Sequence, residues 1–166
     1  LEGELLAEGW AALWGVVVLL LLLRAQATLG IGACAGLGVC GALSVLTRPT
    51  FLPPLVVAYI WLAVVAWKRG GGRRAAQVVG VVAAGFACVA LPVASLSHRA
   101  SGRFTILPAS GGINFYIGNN PRYDELVTVQ PGDEWERLTL LPEQAGRTAF
   151  WDKADWFYAQ TREYAA

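Results

Sequence analysis

Lys68-Arg69-Gly70-Gly71-Gly72-Arg73-Arg74 sets four cations around three glycines between two long apolar runs. A charged side chain at the centre of a bilayer costs about 2.5–3.5 kcal/mol on insertion scales, so this segment is not buried in one. Short loops rich in Lys and Arg stay on the cytoplasmic side of a membrane. Each apolar run that crosses reverses the side, so placing this one turn places every other loop. The flanks argue against the alternative, a solvated basic turn in a soluble helical protein. The chain is 55% hydrophobic and only 15% charged, where a soluble domain carries roughly a quarter charged residues. Between Trp10 and Trp67 the only charges are Arg24 and Arg48.

Four apolar runs precede residue 98. The first, residues 5–23, has a solid core at 16–23 and is closed by Arg24; the second is 28–47, the third 51–67 and the fourth 77–96. About twenty residues span a hydrocarbon core of about 30 Å, so these lengths predict four membrane helices within 1–97. The second run carries Gly32/Gly36 and Gly38/Ala42 four positions apart, and such small-residue faces let helix backbones approach closely in lipid. It is expected to pack among other helices. Pro49, Pro53 and Pro54 suit the start of the third helix better than its interior. Trp10, Trp61 and Trp67 lie near predicted ends, as an interfacial aromatic belt requires.

With the turn at 68–74 cytoplasmic, Arg24 is cytoplasmic too. Glu2, Glu4 and Glu8, the turn Thr47-Arg48-Pro49-Thr50 and everything after His98 then face the other side, and both ends of the chain are extracytoplasmic. Residues 98–166 are polar and aromatic. Phe104–Leu107, Ile113–Ile117 and Leu126–Val129 are short, alternating or β-branched, and bounded by Gly, Pro and Asn, which predicts extended segments joined by turns. From Pro142, the residues Phe150, Ala154, Phe157, Tyr158, Thr161 and Ala165 recur at helical spacing. That amphipathic helix either lies on the membrane surface or packs within its own domain. The expected fold is therefore mainly α: polytopic membrane helices followed by a small mixed segment that ends in this helix. The chain lacks Met and begins Leu-Glu-Gly-Glu, which together with an end inside a helical pattern suggests an internal piece of a longer protein. No basic leader precedes the first run, so no signal peptide is recognised.

Little in the sequence carries catalytic chemistry by itself. No metal is expected, because Cys34, Cys40 and Cys88 sit inside apolar runs as small buried thiols at no metal or redox spacing. His98, the single histidine, reads as a solvated interfacial residue. Three features remain. Glu2 and Glu4 lie at the outer mouth of the first helix, as interfacial charges or as carboxylates facing substrate. Arg48 stands at the outer face against the positive-inside tendency. An Arg fork binds phosphate in two prongs, although a snorkelling headgroup anchor is the competing reading. Gly111-Gly112-Ile113-Asn114-Phe115-Tyr116-Ile117-Gly118-Asn119-Asn120-Pro121 sets amides and aromatics beside glycines, which suits sugar hydroxyls or simply an Asx-rich loop.

Glu2–Leu6, Leu46-Thr47-Arg48-Pro49-Thr50 and the stretch from Asn114 to Pro121 together resemble bacterial membrane glycosyltransferases of family 39. These are relatives of the protein O-mannosyltransferases and the lipid A aminoarabinose transferase. The resemblance spans nearly the whole chain in order, and the stretch from Asn114 is its most specific part. It implies a GT-C fold in the bacterial inner membrane. The implied reaction transfers a sugar, with inversion, from a polyprenyl-phosphate carrier to a lipid, glycan or protein acceptor on the extracytoplasmic face. No cofactor is implied, and neither is a nucleic-acid partner; membrane lipids are the surroundings. Arg48 becomes the donor-phosphate residue, and Glu2, Glu4, Asn114, Tyr116, Asn119 and Asn120 become candidate substrate contacts. The family's catalytic acid stands in the first outer loop, which precedes Leu1 here, so the catalytic residue is unassigned and the chain alone is expected to be inactive. The alternative is a non-enzymatic polytopic protein, such as a transporter piece or assembly factor. A transporter places polar or broken helices at the midplane, whereas these runs are apolar through their centres and polar at the outer rim.

Overall fold

A computed structural model describes residues 2–121, 123–126 and 132–165, without the side chains of residues 2–7, 125, 133 and 165. The described residues are mainly helical and contain no strand. They fall into two compact units, Leu1–Leu107 and Pro108–Ala166.

The first unit is built from α1 (Glu2–Thr28), α2 (Ile31–Thr47), a 3-10 turn at Pro49–Phe51 and the long α3 (Leu52–Ser101). α3 is broken within the basic turn, where Gly70 (φ −150°, ψ 18°) and Gly71 (φ 69°, ψ −171°) leave helical geometry. Gly71 adopts a positive φ that other residues rarely tolerate. The chain reverses there, and α3 becomes two legs, residues 52–69 and 72–101. Each of the four apolar runs is thus helical. Two helices are long and apolar enough to cross a membrane, Glu8–Thr28 and the stretch Pro49–Ser101 that holds both legs; Ile31–Thr47 is a shorter apolar helix.

Glycines decide how closely the helices approach. A Cβ at Gly38 of α2 would overlap the Val82 carbonyl oxygen and stand 2.8 Å from the Phe86 amide nitrogen; one at Gly85 would overlap the Ala35 carbonyl oxygen. Backbone therefore meets backbone between α2 and the second leg. On the first leg, the Tyr59 hydroxyl crosses over Gly41 and donates to the Leu37 carbonyl at 3.2 Å. The small-residue face read in the sequence is the packing face, although its tightest member is Gly38: a Cβ at Gly32 would meet nothing within 4 Å.

The interior is small or branched, with Ala25, Leu37, Ala42, Ser44, Val45, Leu62 and Ala66 buried, while Leu19, Leu20, Leu23, Val57 and Ile60 are exposed. Of the three thiols, Cys34 is buried as expected, Cys40 is half-buried and Cys88 is exposed. Cys88 corrects the expectation of three buried thiols, because its position on the second leg turns outward from α2. The second leg ends at Gly102 (φ 76°), whose amide donates to the His98 carbonyl at 2.8 Å.

The second unit holds α4 (Gly111–Gly118), α5 (Tyr123–Leu126), α6 (Asp133–Gln144) and α7 (Phe150–Ala165). The extended segment expected at Ile113–Ile117 is instead helix α4. Ile113 and Tyr116 are buried and Ile117 half-buried, one face at i, i+3 and i+4 that also reads as β-branched alternation over so short a run. Of the segment expected at Leu126–Val129, Leu126 ends α5 and the rest lies outside the described residues. α7 packs against α4: Ala154, Phe157 and Thr161 are buried as predicted, whereas Phe150 and Tyr158 are exposed.

A Cβ at Gly112 would overlap the Ala154 carbonyl oxygen and stand 3.0 Å from its Cα, whereas one at Gly118 would meet nothing within 4 Å. Gly112→Ala is therefore expected to loosen the α4–α7 contact by about 1–3 kcal/mol. Gly118→Ala should be neutral. Hydrogen exchange at α4 and α7 amides measures both, and equal protection in the two variants would contradict this packing.

Candidate functional site

Connectivity and contacts fix which residues share an end of the first unit. α1 runs from Glu8 to Thr28, α2 returns, the first leg of α3 follows α1 and the second leg returns again. At the far end of α1, the Arg69 guanidinium donates to the carbonyls of Gln26 and Ala27, and Arg74 donates to the Leu29 carbonyl at 3.0 Å. Leu29 holds a left-handed φ of 49°, uncommon for a bulky residue. Its burial and Arg74 keep it there. Cations on the last carbonyls of a helix also oppose its negative end. Arg24 and the basic turn thus lie at one end of the bundle.

Glu8 and Arg48 lie at the other end and form an ion pair through Arg48 Nη2 and Glu8 Oε1. The turn that presents Arg48 follows from its sequence. Thr47 closes α2 by bonding its hydroxyl to the Leu43 carbonyl at 2.9 Å. Arg48 is extended (φ −145°, ψ 113°), as a residue before proline prefers. Pro49 then starts the 3-10 turn, pinned by the Phe51 amide on the Arg48 carbonyl at 3.1 Å. The Phe51 ring lies over Gly15 of α1, within 3.6 Å of where a Cβ would be.

Arg48 and Glu8 side chains are 47% and 56% exposed, so water, a headgroup or a ligand can reach the pair. A guanidinium carries five donors; among the described residues, Glu8 is the only side-chain partner of Arg48. What this arrangement can do is hold an oriented guanidinium, with donors to spare, at the rim of an apolar bundle. An oxyanion such as phosphate is the group it suits.

Glu2 and Glu4 belong to the first turns of α1, and their side chains lie outside the described residues. Glu8, expected only as an interfacial charge, is the carboxylate that meets Arg48. The signal was present: Glu2, Glu4 and Glu8 are the only acids before Asp124, and the loop assignment put all three on the side of Arg48.

The remaining candidates belong to the second unit. Asn114 and Asn119 are exposed on or beside α4, and Asn119 Nδ2 donates to the Phe115 carbonyl at 2.9 Å, closing the helix. Asn120 is buried, and its carbonyl accepts from the Tyr123 amide at 2.9 Å. Tyr116 is only 8% exposed, with its ring against Phe157, Trp156 and Tyr164. Its place is in the core of this unit. Asn114 and Asn119 are thus the exposed amide side chains of the stretch, with Phe115 beside them, exposed and 5.8 Å from Tyr158 between ring centres. Among the described residues no group of three His, Cys, Asp or Glu could hold a metal ion.

No known protein family, curated protein or solved structure matches this chain.

Proposed function

We propose that the chain is part of an integral-membrane glycosyltransferase of the family 39 type. It would move a sugar from a polyprenyl-phosphate donor to a lipid, glycan or protein acceptor on the extracytoplasmic face of a bacterial inner membrane. In this reading α1, α2 and the two legs of α3 all cross the bilayer, the basic turn is cytoplasmic, and both ends of the chain are outside. The outward display of Leu19, Leu20, Leu23, Val57 and Ile60 over a small-residue interior supports the membrane placement, since a water-soluble surface rarely gathers so much apolar area.

The observation that carries the reading is the Arg48–Glu8 pair at the end of the bundle opposite the cationic turn. Arg48 would hold the donor phosphate and stabilise its charge as the sugar–phosphate bond breaks, an interaction that strengthens as charge develops. Glu8 would keep the guanidinium oriented in the absence of donor. The acceptor hydroxyl would attack the anomeric carbon from the face opposite the phosphate, with inversion, and give its proton to a carboxylate base. The second unit, taken by itself, would offer Asn114 and Asn119 to a substrate. Membranes from cells making the whole enzyme of which this chain is proposed to be part should transfer labelled sugar from a polyprenyl-phosphate donor to endogenous acceptor, and membranes lacking it should not. Equal transfer in both preparations would refute the proposal.

A further inference from the structure

The opposite end of the first unit carries a second constellation that sugar transfer does not use. Arg69, Gly70, Arg73, Arg74, Gln77 and Leu29 line a recess of about 410 Å³. A second recess, of about 430 Å³, shares Leu29, Arg74 and Gln77 with it and continues along Ile31, Val78, Val81 and Ala84. Polar lining therefore gives way to apolar lining across Arg74 and Gln77. From Gln77 to Ala84 the second leg rises about 10 Å, at 1.5 Å per residue. The mouth of the apolar recess is open to the surroundings, since Ile31 is 73% exposed.

Among the described residues of the first unit, the charge at this end has no acidic counterpart. Arg24, Lys68, Arg69, Arg73 and Arg74 lie here, and between Glu8 and Asp124 the sequence contains no Asp or Glu. Arg69 and Arg74 spend donors on the carbonyls of α1, which fixes their guanidinium groups beside the recess. Arg73 is exposed and makes no hydrogen bond or ion pair among the described residues. The first unit, taken by itself, supplies no anion to balance these cations, and the anion that does must suit a cationic cup that opens directly onto an apolar groove.

We propose that this end is a binding site for one anionic phospholipid of the inner leaflet. Its phosphate lies among Arg69, Arg73 and Arg74, and one acyl chain lies along Ile31, Val78, Val81 and Ala84. Basic pockets between membrane helices on the cytoplasmic side hold anionic headgroups on this principle. Gly70 keeps the cup in shape, because a Cβ there would stand 2.8 Å from Arg74 Cβ. The site rests on the bundle lying in a membrane and not on the transfer reaction, so its test reads no sugar and no donor.

The test is native mass spectrometry of the purified chain in detergent, titrated with phosphatidylglycerol or with phosphatidylcholine of the same acyl chains. The chain should retain phosphatidylglycerol in preference. Arg73→Gln should lower that preference about fivefold, as expected for one cation near an anionic headgroup. It removes no bond that holds the fold. Lys68→Gln, at the same end but off the recess, and Arg99→Gln, a cation at the opposite end, should each change it by less than about twofold. Equal losses in all three variants would show diffuse attraction to a basic surface and overturn the site. Displacement of the lipid by millimolar inorganic phosphate would overturn the lipid as occupant, and the absence of any headgroup preference would overturn both.

Discussion

Replacing Gly38 with Ala is expected to cost about 1–3 kcal/mol of bundle stability, although Ala is the better helix former by about 1 kcal/mol. The added methyl would overlap the Val82 carbonyl oxygen and press on the Phe86 amide. Both are backbone atoms of a regular helix, so relief requires the whole second leg of α3 to move away from α2. Gly85→Ala meets the Ala35 backbone in the same way and should have an effect of the same size. Gly36→Ala would touch only the Leu21 side chain, at 3.5 Å, and Gly32→Ala nothing; both should be neutral or mildly stabilising. Reversible unfolding of the four variants in mixed detergent micelles gives the comparison. Apolar side chains gain nothing by leaving lipid for another helix, so close packing must hold such a bundle together. The ranking Gly32 and Gly36 harmless, Gly38 and Gly85 harmful is therefore specific to this interface.

The second large effect is expected on catalysis. Hydrogen bonds to a charged group contribute about 1.5–3 kcal/mol, so in the full-length enzyme Arg48→Ala should lower kcat/KM for a polyprenyl-phosphate donor by roughly 10- to 150-fold. Arg48→Lys should recover only part of this, because an ammonium keeps the charge and loses the planar fork. Neither change should unfold the bundle. The Arg48–Glu8 pair is about half exposed, and exposed pairs of this kind contribute about 0–1 kcal/mol. Donor kinetics of Arg48→Ala measured beside its unfolding curve therefore separate a binding residue from a structural one. Unchanged kinetics would leave Arg48 a headgroup anchor.

Much of the first unit was legible in the sequence because its signals are long. Runs of about twenty apolar residues, a cationic turn and glycines four apart each point to helices, an order of loops and a packing face. The sequence could not rank the glycines, since Gly32 and Gly38 look alike until their distances to a neighbouring backbone are known. The second unit was less legible. Ile113–Ile117 is too short to separate a period of two from one of 3.6, and its isoleucines favour the strand reading; burial of Ile113 and Tyr116 against α7 makes it a helix. Of the candidate site, Arg48 stood out because a lone cation between apolar helices is costly. Glu8 reads in the sequence only as an interfacial charge, because charge at the start of a membrane helix is ordinary, and only the contact across forty residues pairs it with Arg48.

The proposed function requires above all that the Arg48 end and the basic turn lie on opposite sides of a membrane. With Cys34, Cys40 and Cys88 replaced by Ala, a single cysteine can be introduced by Thr50→Cys, beside Arg48, or by Gly72→Cys, in the basic turn. Thr50 is exposed, and Gly72 has open space around its Cα, so neither change should disturb the fold. A membrane-impermeant maleimide applied to intact cells or spheroplasts should label the Thr50→Cys protein directly and the Gly72→Cys protein only after the membrane is opened. Labelling of the Gly72→Cys protein from outside, or of both proteins alike, would contradict the account.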